Sequence, residues 1–310
     1  MTRPDPVLLV PITVVVSTLN RTQLLSRCLD ALLAGTRLPE EVVVVDQGEP
    51  GAVRHVLEGR RDRGVSFVHV LQQRRGLSAS QNAGFSRASC AVVSVIDDDC
   101  VPDAHWIEVA AREHALARGS LLLTGRVLPL AAAGDHVLPL SSRVSTVKVV
   151  LARDALPWDV GTGGNFSVTR DAYLQAGGND ERLGTGSPGR AGNDLDLFHR
   201  LLADGVAAHY EPGLLVLHER GTRAEHRSRR WTYGFGVGAC TAKWRRQGDP
   251  HALLILGAWL RLRLRLLLEA PRPVSVMNEA RVLLGTAHGL WFGWRLGARE
   301  EPDTQNNLVT

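Results

Sequence analysis

Short β-branched runs alternate with stretches of helical periodicity over the first part of the chain. The runs are predicted strands, and the stretches between them are predicted helices because their apolar residues recur at helical spacing. This alternation is typical of right-handed βαβ units, so we predict an α/β fold with a Rossmann-like, mostly parallel sheet flanked by helices. The predicted strands are 12–17, 41–46, 65–71, 91–96 and 121–128, and the predicted helices are 23–33, 76–88 and 106–117.

Polar side chains follow three of these strands at the point where each strand ends. Thr18-Leu19-Asn20 follows the first, Asp46 ends the second, and Asp97-Asp98-Asp99 follows the fourth. In open parallel sheets, ligands bind beyond the carboxyl ends of the strands. The sequence therefore predicts a ligand site at this edge.

The later part of the chain is less regular and then becomes helical. We predict an irregular stretch over 131–157, a Gly-rich turn at 161–165 before a short strand, and a Gly-rich loop at 184–192 that closes over substrate. A helix is predicted from about Asp194 to 203, and a strand pair over 206–216 before His218. We place a boundary between a domain at 8–220 and a mainly helical, basic extension at 221–310, with helices at 231–243, 252–268 and 274–296.

The extension combines apolar runs with embedded arginines, and two interpretations stay open. Arg261 and Arg265 share one helix face, while Arg263 points the opposite way. The uncharged run before Arg261 is too short to span a membrane. One interpretation is a helix lying on a membrane surface, with its arginines near anionic headgroups; the tryptophans at its interface would be Trp259, Trp291 and Trp294. The other is a helical pair packed on the preceding domain, with its arginine side chains snorkelling to water.

Composition and charge indicate which partners and which cellular compartment to expect. The formal net charge is +4, with basic residues concentrated in the last third, which indicates anionic partners. Aromatic residues interleaved with arginine and known reading motifs are missing, so nucleic acid is not expected as a partner. The cysteines lack metal-binding spacing and are predicted to be buried or free thiols in a reducing cytosol; they are Cys28, Cys90, Cys100 and Cys240. Because the run at 7–16 does not resemble a signal peptide, we expect a cytoplasmic protein.

The carboxylates at strand ends suit metal and proton chemistry. Adjacent Asp97, Asp98 and Asp99 repel one another unless a cation is present, and oxygen ligands suit Mg²⁺ or Mn²⁺. Asp97 and Asp99 lie on one side of an extended segment; the alternative is a solvated acidic turn. Asp46 is placed either to bind a ribose hydroxyl or base N–H, or to form a turn or helix N-cap.

Two further side chains also carry alternative interpretations. Asp194 is either a general base for an acceptor hydroxyl or a helix N-cap. His218 is either structural or a contact to metal or diphosphate. No Gly-rich phosphate fingerprint follows the first strand, which argues against nicotinamide cofactors and P-loop hydrolysis.

Taken in order, these stretches resemble the family 2 glycosyltransferases, inverting enzymes with a GT-A fold. The resemblance spans about residues 10–220. Two positions depart from the usual pattern: Asn193 stands where the family usually has Glu, and Asp46-Gln47-Gly48-Glu49 stands for DDGS. The matching stretches are VVVSTLNR at 14–21, VVVVDQG at 42–48, RGLSASQNAG at 75–84, IDDDC at 96–100, GTGGNFSVTRDAYLQAGGNDERLG at 161–184, GNDLDLFHRLL at 192–202, and His218.

The resemblance implies a role for each site residue. The nucleotide of the donor would lie near Thr18, Asn20, Asp46 and Arg75, with Asp98 on the ribose. The metal, Mn²⁺ or Mg²⁺, would be bound by Asp97, Asp99 and His218. Asp194 would be the catalytic base, and the sugar and acceptor pocket would be bordered by Gly163, Gly164, Asn165 and Asn193.

The implied activity is transfer of a hexose-type sugar from a nucleotide-diphosphate donor to an acceptor hydroxyl, with inversion. The acceptor would be a cell-envelope glycan, a lipid-linked molecule or a secondary metabolite, with peripheral membrane contact through 221–310 at the inner face of the cell membrane. One alternative is a nucleotidyltransferase that makes nucleotide sugars; it needs a Gly-rich basic loop, which STLNRTQLL at 17–25 is not. The other is a non-catalytic, membrane-associated binding protein, against which the intact Asp97, Asp99 and Asp194 argue.

Overall fold

A computed structural model describes residues 8–60, 64–130, 137–139, 142–269 and 273–296. Parts of the predicted irregular stretch and the end of the predicted extension lie outside these residues. The described chain divides into two compact units. Unit 1 comprises the described residues of Met1–Ser187 and Asn193–His226, and unit 2 those of Pro188–Gly192 and Arg227–Thr310. The domain boundary after residue 220 stays a prediction.

Unit 1 contains eleven strands among the described residues. They are Leu9–Thr18 (β1), Leu38–Asp46 (β2), Ser66–Leu71 (β3), Val92–Asp97 (β4), Cys100–Pro102 (β5), Leu121–Pro129 (β6), Val137–Pro139 (β7), Val149–Leu151 (β8), Asn165–Thr169 (β9), Ala207–His218 (β10) and Arg220–Thr222 (β11). The helices of the described chain are Thr22–Leu33 (α1), Ala52–Glu58 (α2), Leu77–Arg87 (α3), Trp106–Leu116 (α4), Pro157–Val160 (α5), Arg170–Gln175 (α6), Asn193–Ala203 (α7), Arg223–Arg246 (α8), Ala252–Glu269 (α9) and Pro273–Arg295 (α10).

A mostly parallel sheet forms the centre of unit 1, which confirms the predicted fold class. Its order is β3-β2-β1-β4-β9-β6-β10-β5, with β8 also pairing with β10. Strands β1 to β4 are mutually parallel, and β10 is parallel to β6. The short strand β9 runs antiparallel to both β4 and β6. The carboxyl ends of β1, β2, β3 and β4 therefore lie at one edge, as predicted.

Continuous apolar runs form the central strands because both faces of the sheet are covered by helices. In β1, Val14 and Val16 face one core with Leu25 of α1. Val15 faces the opposite core with Phe85 of α3. Successive side chains of a strand point to opposite faces, so a run without polar positions is buried on both sides.

The strand pair predicted over 206–216 is wrong: a single strand, β10, occupies this region. Its pairing with β6 shifts register between Glu211 and Leu215. Pro212 has no N–H to donate to a neighbouring strand, and the N–H of Gly213 donates to the Glu211 carboxylate over 2.9 Å. The Pro-Gly pair therefore produces a bulge within one strand rather than a hairpin turn.

Helix α8 begins at Arg223, earlier than the predicted start at residue 231. Thr222 and Glu225 form a capping box at this end. The Thr222 N–H donates to Glu225 Oε2 over 2.7 Å, and the Glu225 N–H donates to Thr222 Oγ1 over 3.2 Å. The basic stretch before residue 231 is thus the first part of the helix, and a T-x-x-E pattern is the signal that identifies it.

Unit 2 is formed mainly by α8, α9 and α10, and it explains the arginine pattern. Arg263 is largely buried, with its guanidinium carbon 4.1 Å from the centre of the Trp259 ring and a 3.4 Å ion pair to Glu279 of α10. Arg261 and Arg265 are exposed, which confirms the prediction that these two arginines share one helix face and that Arg263 points the opposite way. The prediction that Trp259 lies at a membrane interface is wrong, because the indole is buried and donates to Thr286 Oγ1 over 3.0 Å.

Glycines allow the backbones of α8 and α10 to approach closely. A Cβ at Gly285, Gly289 or Gly293 would overlap a carbonyl oxygen of α8. These glycines recur at every fourth residue and so form one stripe on α10. Small residues at this spacing are typical of closely packed helix pairs, although no helix among the described residues reaches the length and apolarity needed to cross a membrane.

The close contact at Gly289 predicts a stability effect. Gly289→Ala should lower the free energy of unfolding by about 1–3 kcal/mol, because the added methyl forces the helices apart. Gly257→Ala in α9 is the matched control, since its Cβ would meet only Arg261 at 3.6 Å. The control should be neutral or stabilising by up to about 1 kcal/mol. Urea denaturation followed by circular dichroism measures both variants; equal stabilities would contradict the packing.

Candidate active site

Hydrogen bonds join the loops that follow β1, β2 and β3. The Gln47 N–H donates to the Thr18 carbonyl over 3.0 Å, and the Gln47 side-chain oxygen accepts the Gly76 N–H over 2.7 Å. Asn20, in the left-handed region with φ 55°, accepts the Glu49 N–H at Oδ1 over 2.9 Å. Polar strand ends that are distant in sequence thus form one continuous rim.

Asp46 is buried at the end of β2 and bonded on both oxygens. Oδ1 accepts the Gly48 N–H over 2.9 Å, and Oδ2 lies 3.1 Å from His69 Nε2. These contacts fix the loop after β2. Contact between Asp46 and a nucleotide stays a prediction, as does that of Arg75, which is exposed on the loop after β3.

Asp98 is completely buried and bonded within the protein. Thr18 Oγ1 donates to Asp98 Oδ2 over 2.7 Å, and Arg21 approaches Asp98 Oδ1 to 2.5 Å. Burial raises the pKa of Asp98 to about 6, opposed by Arg21 and by the Thr18 hydrogen bond. In this structure Asp98 therefore anchors the loop after β1, and its predicted contact with ribose remains a prediction.

Asp97 and Asp99 concentrate negative charge at the end of β4. Burial, followed by repulsion from Asp99, raises the pKa of Asp97 to about 7. Arg21 Nη1 lies 3.1 Å from Asp99 Oδ2, but the same guanidinium also pairs with Asp98. One partly exposed arginine beside three carboxylates leaves the cluster with excess negative charge, which a bound cation would relieve.

His218 comes to the same place from the end of β10. Its Nε2 lies 3.6 Å from Asp99 Oδ1, and its Nδ1 lies 2.6 Å from the Glu219 carbonyl oxygen. Because a carbonyl only accepts, Nδ1 carries a hydrogen, and Nε2 is the ring nitrogen that faces the Asp99 carboxylate. Cys100, paired with His218 across β5 and β10, contributes Sγ to the same group of atoms, all within 4.8 Å of one another.

Two consecutive glycines, Gly163 and Gly164, lie between the Asp97 carboxylate and Asp194. A Cβ at Gly164 would overlap the Asp97 carboxylate, so this position requires glycine. The Gly163 N–H donates to Asp194 Oδ2 over 3.0 Å. Asp97 and Asp194 thus contact neighbouring residues of one short segment. This segment brings a candidate metal site and a candidate base together.

Asp194 lies in the first turn of α7. Its Oδ1 accepts the Leu195 N–H over 2.9 Å, and burial raises its pKa, opposed by these backbone hydrogen bonds. A helix N-terminus favours the carboxylate form. A carboxylate with a raised pKa binds a proton more tightly at neutral pH, as a general base must. Asn193 is buried beside Asp194, where a Cβ at Gly184 would approach its side chain to 3.0 Å.

Asn165 holds the centre of the sheet together. It is completely buried at the start of β9; Oδ1 accepts the Trp106 indole N–H over 2.8 Å, and Nδ2 donates to the Arg126 and Leu214 carbonyls over 3.0 and 2.8 Å. Its amide therefore ties β9 to β6 and β10. Its predicted place at the sugar pocket stays a prediction.

Sequence reasoning missed Arg21 and Cys100. The motif VVVSTLNR gives no role for Arg21, yet a cation directly after β1 is the natural partner for the aspartates at the end of the adjacent β4. The cysteine spacing predicts only a buried or free thiol at Cys100. All four cysteines are free and buried, as predicted, but only the pairing of β5 with β10 shows that Cys100 faces His218.

The sequence model of Glycosyl transferase family 2 matches residues 13–126, which include the ends of β1, β2, β3 and β4. This part of the chain is therefore similar to the family 2 glycosyltransferases. The chain is 26% identical over 191 residues to the glucosyl-dolichyl phosphate glucuronosyltransferase of Haloferax volcanii, covering 56% of this chain and 57% of that protein. It is 26% identical over 227 residues to the validoxylamine A glucosyltransferase of Streptomyces hygroscopicus subsp. limoneus, covering 63% and 48%. It thus spans about half the length of these relatives.

Solved structures confirm that this chain has the predicted GT-A fold. A mannosyltransferase from Pyrobaculum calidifontis in complex with GDP-Man and Mn²⁺ superposes with a TM-score of 0.61 at 19% identity, covering 93% of this chain and 89% of that one. TarS residues 1–349 of S. aureus in complex with UDP-GlcNAc gives 0.59 at 14% identity, covering 91% and 82%.

Proposed function

We propose that this protein is an inverting glycosyltransferase that moves one sugar from a nucleotide-diphosphate donor to an acceptor hydroxyl. The observation that carries the proposal is the Gly163-Gly164 segment, which contacts Asp194 on one residue and Asp97 on the next. Sugar transfer needs a cation beside the donor's leaving group and a base beside the acceptor's hydroxyl, and the two must lie close together. The names of the family relatives and of the superposed structures support sugar transfer.

The residues at the end of β4 fit a divalent cation. Asp97 and Asp99 offer oxygen atoms, and His218 Nε2 lies 3.6 Å from Asp99 Oδ1, so both atoms can bind one ion. Mn²⁺ or Mg²⁺ suits this set, and Asp97, Asp99 and His218 would hold it. When bound, the ion neutralises charge on the departing diphosphate.

The rim formed by the loops after β1, β2 and β3 is the proposed site of the donor's nucleotide. Hydrogen bonds of Thr18, Asn20, Asp46 and Asp98 order this rim. We propose that the exposed Arg75 also contacts the nucleotide. Nucleotide ligands bind at this edge of parallel sheets because several loops meet there. We propose that the base and ribose lie along the rim, with the diphosphate toward Asp97 and Asp99.

Asp194 is the proposed base. It takes the proton of the acceptor hydroxyl as that oxygen forms a bond to the anomeric carbon and the bond from this carbon to the diphosphate oxygen breaks. A single displacement of this kind inverts the anomeric configuration. The Gly163 N–H orients Asp194 through Oδ2, and the remaining lone pairs of the carboxylate are available to the acceptor.

The acceptor is proposed only as a class: a hydroxyl compound that enters beside Gly163, Gly164, Asn165 and Asn193. The relatives' names include a dolichyl phosphate-linked sugar and validoxylamine A, which are chemically distinct acceptors. Asn193 gives this pocket an uncharged amide where the family usually has Glu. We propose that this favours an acceptor without a cationic group.

Unit 2 carries the features of a membrane-surface contact. Trp291 and Trp294 are more than half exposed and border a groove of about 520 Å³ with Leu253, rimmed by Arg245 and Arg295. Further exposed apolar residues continue along α9 and α10: Leu254, Leu260, Leu264, Leu268, Met277 and Leu284. Together with exposed Arg261 and Arg265, this surface suits the anionic cytoplasmic leaflet. We propose peripheral attachment there.

Replacing the base tests the mechanism. Asp194→Asn should lower the rate of sugar transfer by about 10²–10⁴-fold, because an amide does not accept the acceptor proton, while donor binding is retained. The measurement is release of nucleoside diphosphate from UDP-, GDP- and dTDP-sugars with an acceptor panel. Asp171→Asn is the matched control, since Asp171 is an exposed aspartate in the first turn of α6. Full activity of Asp194→Asn would refute its role as base.

Vesicle flotation tests the membrane contact. The full chain should float with vesicles containing anionic phosphatidylglycerol and much less with neutral vesicles. Trp291→Ala with Trp294→Ala should lower the floated fraction severalfold, because the apolar anchors are removed. Leu116→Ala, which removes an equally exposed apolar side chain from unit 1, should have no effect. Failure of the unmodified chain to float would contradict attachment.

A further inference from the structure

A thiol occupies the candidate metal site beside the expected ligands. Cys100 begins β5 and pairs directly with His218 of the antiparallel strand β10. Residues opposite each other in an antiparallel pair point to the same face. The ligand atoms of Asp99, Cys100 and His218 accordingly lie within 4.8 Å of one another, and all three residues are buried.

The donor atoms of this group converge on one place. Asp99 Oδ1 is 3.6 Å from His218 Nε2 and 3.9 Å from Cys100 Sγ. Atoms bound to one ion with bonds of about 2.0–2.3 Å lie at most about 4.6 Å apart, so these two separations suit a shared ion. The His218 side chain is 6% exposed, and its Nδ1 contact to the Glu219 carbonyl directs Nε2 to the carboxylate.

We propose that Cys100 is a metal ligand alongside Asp99 and His218, and that its sulfur gives the site a preference for thiophilic divalent ions over Mg²⁺. This inference rests on the proposed metal role of Asp99 and His218. Sulfur and imidazole nitrogen bind Co²⁺, Zn²⁺ and Cd²⁺ more strongly than Mg²⁺, which selects oxygen. The sulfur therefore determines which divalent ion is preferred, while the carboxylates provide the negative charge that binds an ion.

Binding of an ion by Cys100 requires loss of the thiol proton. Burial, with the charges of Asp97 and Asp99, raises the pKa of Cys100 well above its usual value, so the metal-free thiol is protonated. A bound dication reverses this preference and releases the thiol proton to solvent as the metal–sulfur bond forms. The other thiol of this neighbourhood, Cys28, is directed to the Asp97 carbonyl oxygen at 3.8 Å.

Cobalt absorption spectroscopy on the full chain tests the assignment. After chelator treatment, titration with Co²⁺ should produce a near-ultraviolet sulfur-to-cobalt charge-transfer band that saturates with binding. Cys100→Ser and Cys100→Ala should lose the band, and their Cd²⁺ affinity, measured by competition with a fluorescent chelator, should fall at least tenfold. Their Mg²⁺ affinity should change less than threefold, because Mg²⁺ does not use the sulfur.

Matched variants make the outcome decisive. Cys90→Ser is the control, since Cys90 is a buried thiol before the start of β4, at the opposite end of the strand from the site; it should keep the band. Thermal unfolding verifies that the Cys100 variants are folded. A band that persists in either folded Cys100 variant, or Co²⁺ binding without any band in the unmodified chain, would overturn the inference. Because this readout uses no donor or acceptor, the inference can fail while sugar transfer stands, or hold while transfer fails.

Discussion

Repulsion among the carboxylates at the end of β4 is the constraint on which the site depends. Asp97, Asp98 and Asp99 are adjacent in the chain, and the surrounding sheet removes them from water. The protein compensates Asp98 internally, through Thr18 and Arg21, and leaves Asp97 and Asp99 with a shared excess of negative charge. We propose that this partly neutralised carboxylate cluster receives a cation, and that the phosphates of a donor bind to that cation.

The mixed topology of the sheet brings the other groups to this charge. The antiparallel strand β9 carries the Gly163-Gly164 segment into place at its amino end, beside the carboxyl end of β4. Strand β10 extends past its bulge to deliver His218 opposite Cys100. Buried Asn165 ties β9 to β6 and β10. The position of Asp194 beside Gly163 therefore depends on the same hydrogen bonds that close the sheet.

Much of this arrangement follows from local sequence, because periodicity determines which faces are buried. The runs that form β1, β2 and β4, with the polar residues at their ends, predict both the parallel sheet and the edge at which the candidate site lies. The missed features depend on pairing between distant segments. No local pattern shows that Cys100 faces His218 or that Gly164 packs on Asp97. The Pro212-Gly213 pair resembles a hairpin turn, yet the residues before and after it form one strand, because both segments pair with β6. Trp259 resembles an interfacial tryptophan until α10 supplies Thr286 as its partner.

The central claim is that the end of β4 binds a nucleoside diphosphate through a divalent cation. Calorimetric titration of the chain with UDP, GDP and dTDP, in Mn²⁺ and in EDTA, measures it directly. We expect at least one of the three to bind in Mn²⁺, and its affinity to fall at least tenfold in EDTA and in Asp99→Asn. Equal affinity with and without the ion, or no binding of any of the three, would contradict it.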